Sequence, residues 1–224
     1  MSNTSSAVRP SIMSLILIPS VVTLFVTILR VYGELHNWPR PWFSSQAGGG
    51  GAIIGISWLP LIFGPYFALK LSGAGAGPRS TGKAIGFGAL GIVLVFGGGF
   101  LSFSPPFSAI RFIGGLLLMA IGAVLQFNPW PALAKTLLAY GYAARILVAV
   151  VMFLAMKGNW GTHYDAVPPN YAGPTSLWGK WFAIGVIPQL ILWIAFTMSV
   201  GMLVGTAVNA IVRRGKPSAE VAVR

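Results

Sequence analysis

Residues 11–29 read SIMSLILIPSVVTLFVTIL, nineteen positions without one ionisable side chain. A helix of about 18 or more apolar residues is long enough to cross the ~30 Å hydrocarbon core of a bilayer. The stretch follows a short polar segment, MSNTSSAVRP, as a secretory signal would. It is longer than the roughly 7–15 residues of a signal-peptide core, and no A-x-A-like cleavage site follows it. It is therefore expected to remain as a first membrane span.

The same character extends through the chain. Of its 224 residues, 55% are hydrophobic and only 8% are charged. A water-facing domain carries about 25% charged residues, so the surface of this chain cannot be one that faces water alone. Six apolar segments are expected to span, at roughly 11–33, 51–72, 84–104, 109–127, 131–157 and 177–203. The fold class is then all-α, a polytopic membrane bundle of six transmembrane helices. The expected organisation is a cytoplasmic tail at 1–10, a transmembrane domain at 11–212 and a basic cytoplasmic tail at 213–224.

The net charge of +12 does not point to nucleic acid, because the basic residues form no stripe or long run. They lie at the ends of apolar segments, where they set orientation. With the N-terminus inside, Arg9, Lys70, Arg79, Lys83, Lys135, Arg213, Arg214, Lys216 and Arg224 fall on the inner side. Arg40, Arg111, Lys157 and Lys180 fall on the outer side. That imbalance predicts both termini inside (N-in, C-in) and an even number of spans. Trp38, Trp42, Trp160, Trp178 and Trp181 would then mark the outer boundary and Trp130 the inner one. Short loops and the basic C-terminal tail suggest a bacterial inner membrane.

Glycine and proline punctuate the spans. Gly51-x-x-x-Gly55, Gly82-x-x-x-Gly86 and Gly201-x-x-x-Gly205 would place two glycines on one helix face, for packing inside the bundle or against a second copy. Pro19, Pro60, Pro65 and Pro188 are expected to bend their helices. The apolar run from Leu177 to Val212 is too long for one crossing, and Gly201 and Gly205 are the expected breaking point. GAGAGP at 73–78 lacks the flanking strand and the Lys-Ser/Thr pair of a phosphate loop.

Few side chains can carry chemistry. The chain has no cysteine, which excludes disulfides, thiolate metal sites and cysteine nucleophiles. Arg145 stands near the middle of the fifth span, where an ionised group costs at least ~2.5–3.5 kcal/mol. No carboxylate lies at its depth, so it calls for carbonyls, an amide or a bound anion. Gln189 is the expected amide partner, with Tyr142 and Tyr66 as further polar groups. At the outer side, YGELHNWP (32–39) holds Glu34 and His36, and GNWGTHYDAVPP (158–169) holds His163 and Asp165. Two imidazoles and two carboxylates are a donor set for a divalent metal such as zinc, manganese or iron, if the two loops meet. A structural contact between the loops, or unrelated loop polarity, explains the same residues. Glu34 also has a local partner in Arg30, four residues earlier on the helix.

The leading expectation is a protein that binds or transports a small anionic or lipidic molecule in a polar cavity around Arg145 and Gln189. A membrane enzyme with an outer-face His/carboxylate metal site is the alternative, and a structural or accessory subunit of a larger membrane complex is a third. An enzyme is the less favoured class, since no serine nucleophile with a base and no paired intramembrane aspartates occur. The expected partners are the lipid bilayer and a packing helix or second copy.

Overall fold

The computed structural model describes residues 10–169 and 171–213, and among these residues the chain is all α, with no strand. α1 spans Ile12–Leu35, α2 Pro60–Gly73 and α3 Thr81–Phe103. α4 spans Ala109–Leu125, α5 Pro131–Gly158 and α6 Leu177–Val212. α1, α3, α5 and α6 are long and apolar enough to cross a membrane, so the chain is a multi-pass membrane protein. The tails at 1–9 and 214–224, with Arg9, Arg214, Lys216, Glu220 and Arg224, lie outside the described residues.

Local chemistry sets the helix starts. The Ser11 hydroxyl accepts from the Ser14 amide, 3.1 Å away, and Ser80 accepts from Lys83 at 3.3 Å, each capping an otherwise unpaired N–H. α2 and α5 begin with Pro60 and Pro131 in the first turn, where a missing N–H costs nothing. Antiparallel neighbours then gather the loops at two ends. The α1–α2 loop meets the α5–α6 loop through Glu34 and His163. At the other end, the Arg79 amide before α3 donates to the Pro129 carbonyl before α5 at 2.9 Å.

α6 is the axis of the bundle and packs on α2, α3, α4 and α5, while α1 leans mainly on α5. Phe67, Leu133, Leu137, Met198 and Met202 fill the core below mid-depth and are fully buried. The lipid-facing side is apolar too, with Met13, Ile18, Phe25, Phe100 and Ile110 all exposed. This distribution suits a hydrocarbon solvent, where exposure of apolar side chains costs nothing.

Four expectations are corrected. The second apolar segment was expected to be helical from residue 51, but helix begins at Pro60. Gly51 has a φ of +76°, and the chain before Pro60 folds as turns instead. Its amides find other acceptors: Ile53 donates to Pro41 and Ile54 to Trp42, at 2.8 and 3.0 Å. Gly51 and Gly55 thus share no helix face, and Pro60 is a helix start, not an internal bend.

The second correction concerns α6, which does not break at Gly201 and Gly205. It runs as regular helix through Trp193–Val212. Its irregular part lies nearer the other end, where Trp181–Val186 and Pro188–Leu192 form wider π-type turns around Pro188. Gly201 and Gly205 instead admit α2. A Cβ on Gly64 would sit 2.7 Å from the Gly201 Cα, and one on Gly205 would sit 2.7 Å from the Gly64 carbonyl oxygen. The backbones touch there, as small-residue crossings allow.

Third, Trp130 is no boundary anchor. It is fully buried, and its indole N–H donates to the Ala76 carbonyl at 2.6 Å. Fourth, Gly82 and Gly86 pack on nothing among the described residues, where a Cβ on either would have no neighbour within 4 Å.

Replacing Gly64 by leucine forces α2 off α6 and is expected to destabilise the detergent-solubilised protein by about 1–3 kcal/mol. Gly97→Leu, which meets open space on α3, is expected to leave the thermal midpoint unchanged. Equal midpoints for the two variants would contradict the crossing.

Candidate functional site

The loop end of the bundle is organised by one carboxylate. Arg30 and Glu34 are four residues apart on α1, one turn on the same face, and both are buried. Arg30 Nε donates to Glu34 Oε1 at 2.8 Å. The other side of Glu34 takes His163, whose main-chain N–H donates to Oε2 at 2.8 Å. His163 Nδ1 lies 2.7 Å from Oε1 and 2.8 Å from Oε2. An ionised carboxylate can only accept, so Nδ1 carries the imidazole proton and Nε2 keeps its lone pair.

Arg30 also secures the glycine-rich loop. Its Nη2 donates to the Gly49 carbonyl at 2.9 Å and lies 3.4 Å from that of Ser44. A Cβ on Gly55 would sit 2.8 Å from Nη1, and one on Gly49 3.0 Å from His163 Cδ2. Glycine at these points lets the chain close over the two side chains. Above them a recess of about 370 Å³ is lined by Glu34, Asn37, Arg40 and Ser44–Gln46.

The turn that presents His163 is built by Asp165. Its Oδ1 accepts from the Thr162 amide and hydroxyl, both at 2.7 Å, and Oδ2 accepts from the Gly161 amide at 2.9 Å. Asp165 therefore shapes the loop and does not face Glu34. His36 is also elsewhere. α1 continues as helix to Leu35, so Glu34 and His36 diverge instead of pointing together. The exposed His36 ring stacks on Tyr32 at 4.0 Å and its Nδ1 meets the Tyr32 carbonyl at 2.8 Å. The four-residue metal set of Glu34, His36, His163 and Asp165 is thus not assembled. Among the described residues, no three His, Asp or Glu side chains converge as ligands.

Next to His163, Tyr164 turns inward and is buried against Val148 and Met152 of α5. Burial raises its phenol pKa above the ordinary value, while the guanidinium groups of Arg30 and Arg145 act the other way. Tyr164 therefore remains protonated.

Arg145 lies about midway along α5 and is 4% exposed. Its Nη1 donates to Gln189 Oε1 at 3.2 Å, joining α5 to the π-type region of α6. The guanidinium lies 4.5 Å from the centroid of the Trp193 ring, a cation–π contact. Among the described residues no carboxylate comes within ion-pairing distance of Arg145. Tyr142 is 40% exposed and turns away from this group. Tyr66 sits on α2 beside Phe67 and Lys70, also apart from it.

Two participants escaped the sequence reading. Trp193 follows Gln189 by four residues, a spacing that would have suggested a shared face. Tyr140 belongs to the buried face of α5 with Leu133, Leu137, Ala144 and Val148, a helical periodicity that sets it apart from Tyr142. Its hydroxyl lies 2.8 Å from Thr23 Oγ1. The Thr23 proton goes to the Pro19 carbonyl, so Tyr140 is the donor. No family model matches the chain, and neither the curated proteins nor the solved structures yield a match.

Burial lowers the His163 pKa below its ordinary 6.5, and the Arg30 charge adds to this while Glu34 opposes it. The folded state thus disfavours the protonated imidazole, whereas the unfolded chain takes up a proton at its ordinary pKa. His163 contributes stability that is complete above that value and is lost as pH falls toward the depressed one. The thermal midpoint in detergent is expected to fall from pH 7 to about pH 5, and His163→Gln is expected to flatten that dependence. An identical pH profile in the variant would exclude His163 as the titrating group.

Proposed function

We propose that this is a six-crossing protein with both termini cytoplasmic that binds or transports a small anionic or lipidic molecule around Arg145 and Gln189. The observation that carries the proposal is charge imbalance. Arg30, Glu34 and Arg145 are all nearly inaccessible, two cations against one carboxylate, so the buried set holds at least one positive charge in excess. Arg30 has its carboxylate, and Arg145 has only an amide oxygen and an indole face. Uncompensated charge at mid-depth is expensive in a bilayer, and an anion removes that cost.

The surroundings support the same assignment. Tyr164 and Tyr140 bring phenol groups to the seam between α1 and α5, and Thr23 and Thr27 continue it along α1. The clasp of Arg30, Glu34 and His163 closes the loop end over this seam. Access from that side requires the 159–166 turn to part from α1.

Acetate, phosphate and oleate are suitable probes for thermal-shift and equilibrium-binding measurements on the purified protein. At least one is expected to stabilise the wild type. Arg145→Gln is expected to weaken that binding by about tenfold or more, as loss of a charged partner to a buried ion does. Arg145→Lys keeps the charge and is expected to retain part of it. A folded Arg145→Gln protein that binds as well as the wild type would sink the anion assignment. The topology has its own test, made clean by the absence of native cysteine. Single cysteines at Ser45 and Ser176 are expected to react with an impermeant thiol reagent from outside intact cells, and one at Ser80 is not.

A further inference from the structure

A second recess lies on the membrane-facing side and shares only Trp193 with the anion proposal. It is a groove of about 530 Å³ between the start of α2, α3 and α6. Phe96, Phe100 and Phe103 of α3 form one side, and Trp193 and Phe196 of α6 form the other. The gap between the two sides exists because position 99 is glycine. A Cβ there would stand 3.3 Å from Leu192 Cδ1, a tight contact, so a side chain as bulky as phenylalanine would fill the groove.

The groove has a polarity gradient. Its mouth is at Ser57 and Trp58, ahead of α2, and at Phe103, the last residue of α3. From there it descends to Trp193, which lies about 24 Å along α6 from Leu177. Trp58 is 40% exposed, and its indole N–H donates to the Ile53 carbonyl at 3.1 Å, so the ring is held at the boundary. Ser57 is half-buried, and its hydroxyl makes no hydrogen bond among the described residues. Everything deeper is hydrocarbon or aromatic.

Water does not fill a recess of this lining at this depth, and an unfilled recess forfeits dispersion contacts on every wall. A flexible hydrocarbon chain restores them. A helix from a second copy suits the site poorly, because the Phe96 and Phe100 rings are 63% and 76% exposed and project beside the groove. We propose that the groove is a binding site for one acyl chain of a phospholipid in the leaflet on the Ser57 side. The chain lies between the aromatic walls with its end toward Trp193, and the ester carbonyl accepts from the Ser57 hydroxyl. This places a bound lipid against the same indole whose other contact is Arg145.

The test uses the full chain, purified in detergent and titrated with dioleoylphosphatidylcholine under native mass spectrometry. One lipid is expected to be retained by the wild type and by Gly97→Phe, whose new ring meets open space on the same helix. Gly99→Phe fills the groove and is expected to bind that lipid at least about tenfold more weakly, and Ser57→Ala about threefold more weakly. Because Gly99→Phe can disturb packing, a second measurement uses phosphatidylcholine brominated in mid-chain. It is expected to quench tryptophan emission in the wild type, with a smaller quenched fraction in Trp193→Phe. Equal lipid retention by Gly97→Phe and Gly99→Phe would overturn the proposal. So would unchanged quenching in Trp193→Phe, or binding of oleate with no binding of the phospholipid. Loss of anion binding in Arg145→Gln with lipid retention intact would leave this site standing, so the two proposals fail separately.

Discussion

Glu34 is the point on which the loop end depends. A carboxylate buried beside hydrocarbon is tolerable only if its charge is balanced and its lone pairs are taken, and here three donors from two distant segments meet that demand. One of them, Arg30, is itself buried and turns its Nη2 to the carbonyls of the glycine-rich loop. The consequence reaches from α1 to residues 44–55 on one side and 161–165 on the other. Without that carboxylate, Arg30 would be a second uncompensated cation, and the two loops would have no common anchor.

The lower half of the bundle follows a different rule. No ion pair is found there among the described residues, and cohesion comes from backbone proximity and from a buried cluster of aliphatic, aromatic and methionine side chains. The α2–α6 crossing shows the economy of this arrangement. A helix of 14 residues is short for a membrane span, yet Gly64, Gly201 and Gly205 let it lie so close to α6 that main-chain atoms make the contact. Polar groups in this region are scattered and only partly bonded: the Gln126 amide donates to the Gly122 and Phe87 carbonyls, while its Oε1 and the Ser199 hydroxyl have no partner among the described residues.

Much of this was legible in residue order, and the misses have physical causes. Hydropathy located α1, α3, α4 and α5 to within a few residues because their apolar runs end at capping residues or prolines. It misjudged residues 51–59, because an apolar stretch looks the same whether its amides bond within a helix or to a neighbouring loop such as Pro41–Trp42. Arg30 and Glu34 were readable from their spacing, and Arg145 and Gln189 from the scarcity of alternatives at their depth. The pairing of Glu34 with His163, and the exclusion of His36 and Asp165, were not. They depend on how far α1 continues as helix and on a turn whose shape Asp165 itself dictates. Gly201 and Gly205 were read both as a packing face and as a breaking point, and only the packing is found, since a glycine pair looks identical in either role until its neighbour is known.

The widened turns of α6 have an implication for how this helix tolerates change. Where hydrogen bonds reach one residue further than usual, a helix accommodates an extra position without shifting the residues on either side. Residues 181–192 therefore act as slack between two fixed registers. One is set by the Trp181 indole bonded to the Ala149 carbonyl, and the other by Gly201 and Gly205 on α2. Deleting a single residue from this stretch would restore α-type turns and leave both registers in place, whereas the same deletion within Trp193–Val212 would turn the segments against each other by about 100°.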